Sequence, residues 1–227
     1  MNYLITPPST HYDEGLGITA CNFSSAADIL KKHDEPMNEI LPLCYLQRHA
    51  IELFLKSLIV ILHKKYKLPY GLNCPAIKVN NKWVSLSKTH NISDLYNYFI
   101  SIYEKVMDKL PETTSWELPS DINNKIKLIS GSDPKSTYFR YPESSNSVQD
   151  NKKSSIQQES VESLFEKIEN SKEPVKCVLM YDQNDNLVES YNMKSTTLPK
   201  ILKALEDLNK FFYNMHAAFR FELTKGS

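Results

Sequence analysis

From about Pro42 to Lys65 the chain reads as a helix that is apolar almost all the way round, and such a helix has to lie at the centre of a bundle. At about 100° per residue, with Arg48 as zero, Glu52 falls near 40°, Tyr45 and His63 near 60°, Lys56 near 80° and His49 near 100°. The rest of the cylinder is Leu46, Ala50, Ile51, Leu53, Phe54, Leu55, Leu58, Val60, Ile61 and Leu62, with Ser57 nearly alone opposite the stripe. The polar groups of a core element are thereby confined to one narrow strip. Glu52 is one turn from both Arg48 and Lys56, so a ladder of charge pairs is available on the helix itself.

Two readings of the stripe stand side by side. Sealed in the core, it is a salt-bridge network that sets helix register. At a groove or a dimer interface, Arg48 and Lys56 would bind phosphate and His49 would move protons. His90 is the natural fourth party, because Thr89-His90-Asn91-Ile92 places it near the start of a later helix, where it would otherwise cap or pack. Arginine is rare in this chain: Arg48, Arg140 and Arg220 are the only three among 27 basic residues, which marks places where a planar, permanently charged fork is needed. Arg140 stands between aromatics in Tyr138-Phe-Arg-Tyr-Pro142, which suits a stacked and inserted guanidinium able to reach Glu52 or the same groove. Arg220 reads as a last-turn charge that complements a helix dipole.

Around the central helix the pattern is mainly helical. Residues 1–23 read as an irregular arm, and Ser24 or Ser25 caps a first helix to about Lys32. Asp34-Glu35-Pro36 then breaks the chain. Ala76–Val79 and Trp83–Leu86, joined through Asn80-Asn81, form a small hairpin. A third helix runs from about Ile92 to Leu110, and a shorter one from Ser120 or Asp121 to about Ile129, closed by Gly131. The stretch 143–160 is polar and reads as a flexible loop. A short helix over Val161–Ile168 precedes a second hairpin, Val175–Asp182 with Leu187–Asn192, and a last helix runs from Thr197 to about Leu223. The expected fold is one domain over 1–227, a helical bundle decorated by two hairpins.

With 27 basic and 27 acidic residues the chain lacks the broad charge that general nucleic-acid or membrane binding needs, though not a local basic groove. Cys21, Cys44, Cys74 and Cys177 are scattered without metal-ligand spacing, so they read as reduced thiols and no metal or other cofactor is expected. The first residues lack a signal-peptide pattern, and the longest apolar run, Leu58–Leu62, is too short for a bilayer, which points to a cytoplasmic protein. Five glycines supply no phosphate-binding loop, and no nucleophile elbow, zinc-protease helix or calcium loop is present.

The runs Leu46-Gln-Arg-His-Ala-Ile-Glu-Leu-Phe-Leu-Lys56, Thr89-His90-Asn-Ile-Ser-Asp-Leu95 and Tyr138-Phe-Arg-Tyr-Pro142 resemble HEPN-like proteins, over roughly residues 25–142 plus the last helix. That resemblance implies an up-and-down helical bundle, usually a homodimer, belonging to bacterial defence or toxin–antitoxin systems. Many members are RNases, and others are non-catalytic partners of nucleotidyltransferases. The RNase members carry an Arg, four to six residues, then His. Here the matching positions are Leu53, Phe54 and Leu55 after Arg48, Ser145, Asn146 and Ser147 after Arg140, and Lys225, Gly226 and Ser227 after Arg220. The expectation is therefore a HEPN-like module that binds RNA, a nucleotide or a partner protein without the standard RNase pair. Two alternatives remain: a divergent metal-independent RNase using Arg48, His49 and His90, with Glu52, Lys56, Tyr138 and Arg140 in its ligand or polar network, and a purely structural subunit.

Overall fold

The computed structural model describes residues 6–32, 40–141, 150–172, 174–193 and 198–226. The described residues form six α-helices: α1 (Leu16–Lys31), α2 (Ile40–Tyr66), α3 (Ile92–Val106), α4 (Ile122–Ser132), α5 (Val161–Asn170) and α6 (Leu198–Thr224). The strands are β1 (Ala76–Val79), β2 (Lys82–Ser85), β3 (Ile156–Gln158), β4 (Cys177–Tyr181) and β5 (Leu187–Met193). The protein is thus mainly helical with two small antiparallel sheets. The packing separates two compact units, 1–141 with 200–227 and 142–199.

In the first unit α2 is the axis. From Ala50 to His63 every one of its residues is buried, which is what its nearly uninterrupted apolar surface requires. Its neighbours fix chain direction. The start of α1 meets the far half of α2, through Asp13 on Ser57 and Glu14 on Lys64, while Phe23 lies against His49, so α1 is antiparallel to α2. α3 runs the same way as α2: His90 lies beside Glu52, and Tyr98 beside His63. α6 does likewise, with Asn209 on Gln47, Tyr213 and His216 against Phe54, and the Leu223 carbonyl on Lys65. The strict up-and-down order is therefore broken between α2 and α3. The hairpin in between uses residues 67–91 to bring the chain back along α2, so the next helix repeats its direction.

That hairpin forms as the sequence reading expects, with Ala76 paired to Ser85 and Val79 to Lys82. Asn80 and Asn81 both take positive φ, 47° and 64°, the twist that suits a two-residue turn. α3 starts where expected because the Asn91 side chain accepts from Ser93 N and Asp94 N, so Asn91 is the cap and His90 is left for other work.

The first helix departs from expectation. It begins at Leu16, not Ser24, so residues 16–23 of the expected arm are helical. The Asp13 carboxylate accepts from Gly15 N and Gly17 N, satisfying donors at the helix start, and Gly15 turns the chain at φ 78°. The expected break at Asp34–Pro36 lies outside the described residues.

The second unit contains α5, begun at the Ser160 cap, and a three-stranded sheet in the order β3-β5-β4. The second hairpin stands as expected in β4 and β5, but part of the expected 143–160 loop is strand β3, with Ile156 opposite Met193 and Gln158 opposite Tyr191. A three-residue strand with one apolar side chain has no alternation to read, and its backbone is held by the edge of β5. Residues 143–149 lie outside the described residues.

All four cysteines are unpaired. No helix among the described residues is long and apolar enough to cross a membrane.

Candidate functional site

Three residues of the polar stripe of α2, Arg48, Glu52 and Lys56, form a charge network. Glu52 is its hub. Its Oε2 accepts from Arg48 Nη1 at 2.8 Å, and its Oε1 accepts from Lys56 Nζ at 2.8 Å and lies 2.9 Å from His90 Nδ1. Arg48 also donates from Nη2 to the His90 carbonyl, and its Nε lies 2.7 Å from Asp133 Oδ2, an ion contact without an aligned hydrogen bond. All three guanidinium nitrogens therefore face protein partners. Arg48, Glu52 and Asp133 side chains are each 1% exposed, whereas the His90 side chain is 48% exposed. The network thus reaches solvent at the His90 imidazole.

Asp133 is the member that sequence reasoning missed. It closes α4, and its Oδ1 accepts from Thr137 N at 2.7 Å and Tyr138 N at 3.0 Å, which folds 133–141 back over the bundle. An Asp followed by Pro and a Ser/Thr pair is a turn-capping signal. Nothing local reveals that its second oxygen meets Arg48, because the two residues are 85 positions apart in the sequence.

The structure separates the other candidates. His49 faces away from the Glu52 hub: its ring stacks on Tyr45 at 5.8 Å and meets the edge of Phe23 at 4.5 Å, with Nδ1 buried and unpaired. Arg140 does not reach Glu52. Its guanidinium lies over the Tyr45 ring at 5.5 Å and donates to Ser136 Oγ, but it is exposed. Tyr138 is buried against Phe139. His63, though on the same stripe, lies three turns from Glu52. Its Nε2 is 2.9 Å from the Tyr98 hydroxyl and its ring stacks on Tyr70 at 3.9 Å. Arg220 donates to the Gly226 carbonyl just beyond α6, but it stands one turn before the helix end, so the last turn itself carries no basic residue, against expectation. Among the described residues no three His, Cys, Asp or Glu side chains converge as a metal site.

A second buried polar cluster lies between α1, α2 and α6. Ser57 Oγ donates to Asp13 Oδ2 at 2.5 Å, Gly17 N donates to the same oxygen at 2.7 Å, and His216 Nε2 is 3.4 Å from it. Here the carboxylate sits between serine and histidine. A nucleophilic triad needs the histidine in the middle, so this cluster has the geometry of a helix-packing device.

Burial and charge pull the acids and bases apart. For Glu52, burial alone would raise the pKa, but Lys56 and Arg48 outweigh it and hold the carboxyl below its ordinary value. For Asp13 burial is likewise outweighed, by His216, Ser57 and the Gly17 amide. Burial holds His49 and His63 below the ordinary imidazole value of 6.5. All four shifts have the same sign for stability, because in each case the unfolded chain takes up protons before the folded one does. Stability is therefore expected to fall first as pH drops below 6.5, through His49 and His63, and again below 4.5 and 3.8, the ordinary values for Glu52 and Asp13. Melting temperatures across the acid range check this; a protein that gains stability as pH falls from 6.5 to 4.5 contradicts it.

Compared with models of known protein families, with curated proteins and with solved structures, the chain matches none.

Proposed function

We propose that this chain is a HEPN-like module of a bacterial defence or toxin–antitoxin system that acts in the cytoplasm, as a homodimer, by binding RNA, a nucleotide or a partner protein and not by cleaving RNA. The observation that supports binding without cleavage is the condition of Arg48. A catalytic arginine has to turn donors toward a phosphate, and here the guanidinium is 1% exposed and faces Glu52, Asp133 and the His90 carbonyl. The stripe then serves the fold, joining α2 to the start of α3 and the end of α4. The sequence reading points the same way, since the standard Arg-to-His spacing is absent after all three arginines.

One observation favours the divergent RNase. Glu52 orients His90 through Nδ1, and His90 is half-exposed, so its Nε2 is the atom a general acid or base would use. His49 has no part in that dyad. The two readings separate on one assay: pure full-length protein is incubated with tRNA and mRNA and the products are sized on gels. The expected result is intact RNA. Cleavage that persists through purification and disappears in His90→Gln, with His49→Ala as the companion variant, overturns the non-catalytic reading. His90→Gln removes a half-exposed imidazole and keeps a polar side chain at the position, so that variant is expected to stay folded.

A further inference from the structure

Away from the charge network, the hairpin β1–β2 stands off the side of α3 and leaves a cleft of about 660 Å³. That is the size range of small-molecule sites. Its lining combines the aromatic rings of Trp83 and Tyr98, the amide of Asn97, and two cations, Lys78 and Lys105, with Asp94 as an acidic neighbour. Among the described residues no ion pair engages Lys78, Lys105 or Asp94, which leaves both cations available to a ligand.

The aromatic wall is held in place from behind. Gly71 packs directly on Trp83: a Cβ on Gly71 would come within 2.0 Å of Nε1 and 2.2 Å of both Cδ1 and Cε2, three distances that put the glycine over the ring face. Gly71 does not line the cleft, so Trp83 borders it with its remaining surface. Tyr98 meets Trp83 at 6.0 Å and 74°, and its hydroxyl is fixed by His63, which is in turn stacked on Tyr70. A ring braced in this way loses little freedom on binding, which is the condition under which stacking contributes most to affinity.

We propose that this cleft binds a nucleotide, with the base stacked against Trp83, an edge of the base within reach of the Asn97 amide, and the phosphate drawn to Lys78 and Lys105. Aromatic stacking together with flexible lysine cations is the chemistry of sequence-tolerant nucleotide binding, and the single carboxylate, Asp94, leaves the lining net positive. The ligand chemistry is the same for a free nucleotide and for one unit of a single-stranded RNA. The inference rests on the cleft alone and holds whether or not the chain is HEPN-like.

The test is isothermal titration of the full-length protein with AMP, GMP, CMP and UMP, with inorganic phosphate, and with a short single-stranded RNA. Saturable binding of at least one monophosphate, with phosphate alone far weaker, identifies a free-nucleotide site. Saturable binding of the strand but of no monophosphate identifies a strand site. Either result is expected to be weakened about tenfold by Trp83→Ala and by the Lys78→Gln/Lys105→Gln pair. The two lysines are exposed, so the paired variant reports on binding even if Trp83→Ala fails to fold. Absence of binding by every nucleotide and by RNA overturns the proposal, and so does binding that the lysine pair leaves unchanged. Neither failure bears on RNA cleavage, which is read separately on gels.

Discussion

Replacing Glu52 by alanine is expected to destabilise the protein by about 3–5 kcal/mol, the largest effect of any change in the stripe. The residue bridges Arg48, Lys56 and His90 from a site that is 1% exposed. Its removal leaves a buried guanidinium balanced by Asp133 alone and a buried ammonium with no acid beside it. Urea unfolding of wild type, Glu52→Ala, Arg48→Ala and the double variant reads the coupling. The two single losses are expected to overlap strongly, since each breaks the same contact, so the double variant falls well short of their sum. A loss under about 1 kcal/mol for Glu52→Ala is the behaviour of an exposed pair and contradicts a sealed network. The same variants separate architecture from chemistry: an architectural stripe shifts the unfolding midpoint, whereas a catalytic one changes RNA cleavage at temperatures where the fold is intact.

Gly17→Ala is expected to cost about 3 kcal/mol, at the high end for overpacking a core. Gly17 lies in the first turn of α1, and alanine in place of a helical glycine ordinarily strengthens the helix, so the sign here is diagnostic. A Cβ on Gly17 would lie 1.9 Å from His216 Nε2 and 2.6 Å from Asp13 Oδ2. Neither side chain is free to retreat. Asp13 is held by Ser57 and by two backbone amides, and His216 is buried against Phe54. Calorimetric melting of Gly17→Ala, His216→Ala and the double variant checks the cause. The alanine at 17 is expected to be far less harmful once the imidazole is gone. If Gly17→Ala melts at or above wild type, the close approach of α1 to α6 is not as described.

Which helix is central, and where most helices, both hairpins and the polar stripe lie, can be read from the residues alone. These follow from short-range physics. An apolar cylinder has to be buried, an Asn side chain caps the helix that follows it, and Glu52 is within one turn of Arg48 and Lys56 whatever the rest of the chain does. Arg48 and His90 are accordingly found on one network. His49 shows the limit of the same reasoning: it is beside Arg48 in sequence and on the stripe by angle, yet its ring turns to Tyr45 and Phe23, because a step of 100° per residue is enough to change which neighbour a side chain meets.

Features that need distant partners are not legible in any window of sequence. The first eight residues of α1 lack an obvious cap until Asp13 is held by Ser57 and His216, from helices 44 and more residues away. Strand β3 exists through the edge of β5. Asp133 joins Arg48 because the turn it caps folds back over α2. The cleft beside Trp83 arises where a hairpin and a helix meet, and no window of sequence contains it. Arg48, Glu52 and Lys56, the charges that dominate the sequence, prove to be buried, and the surface best suited to a ligand lies elsewhere, because buried charges satisfy one another while Lys78 and Lys105 remain in solvent.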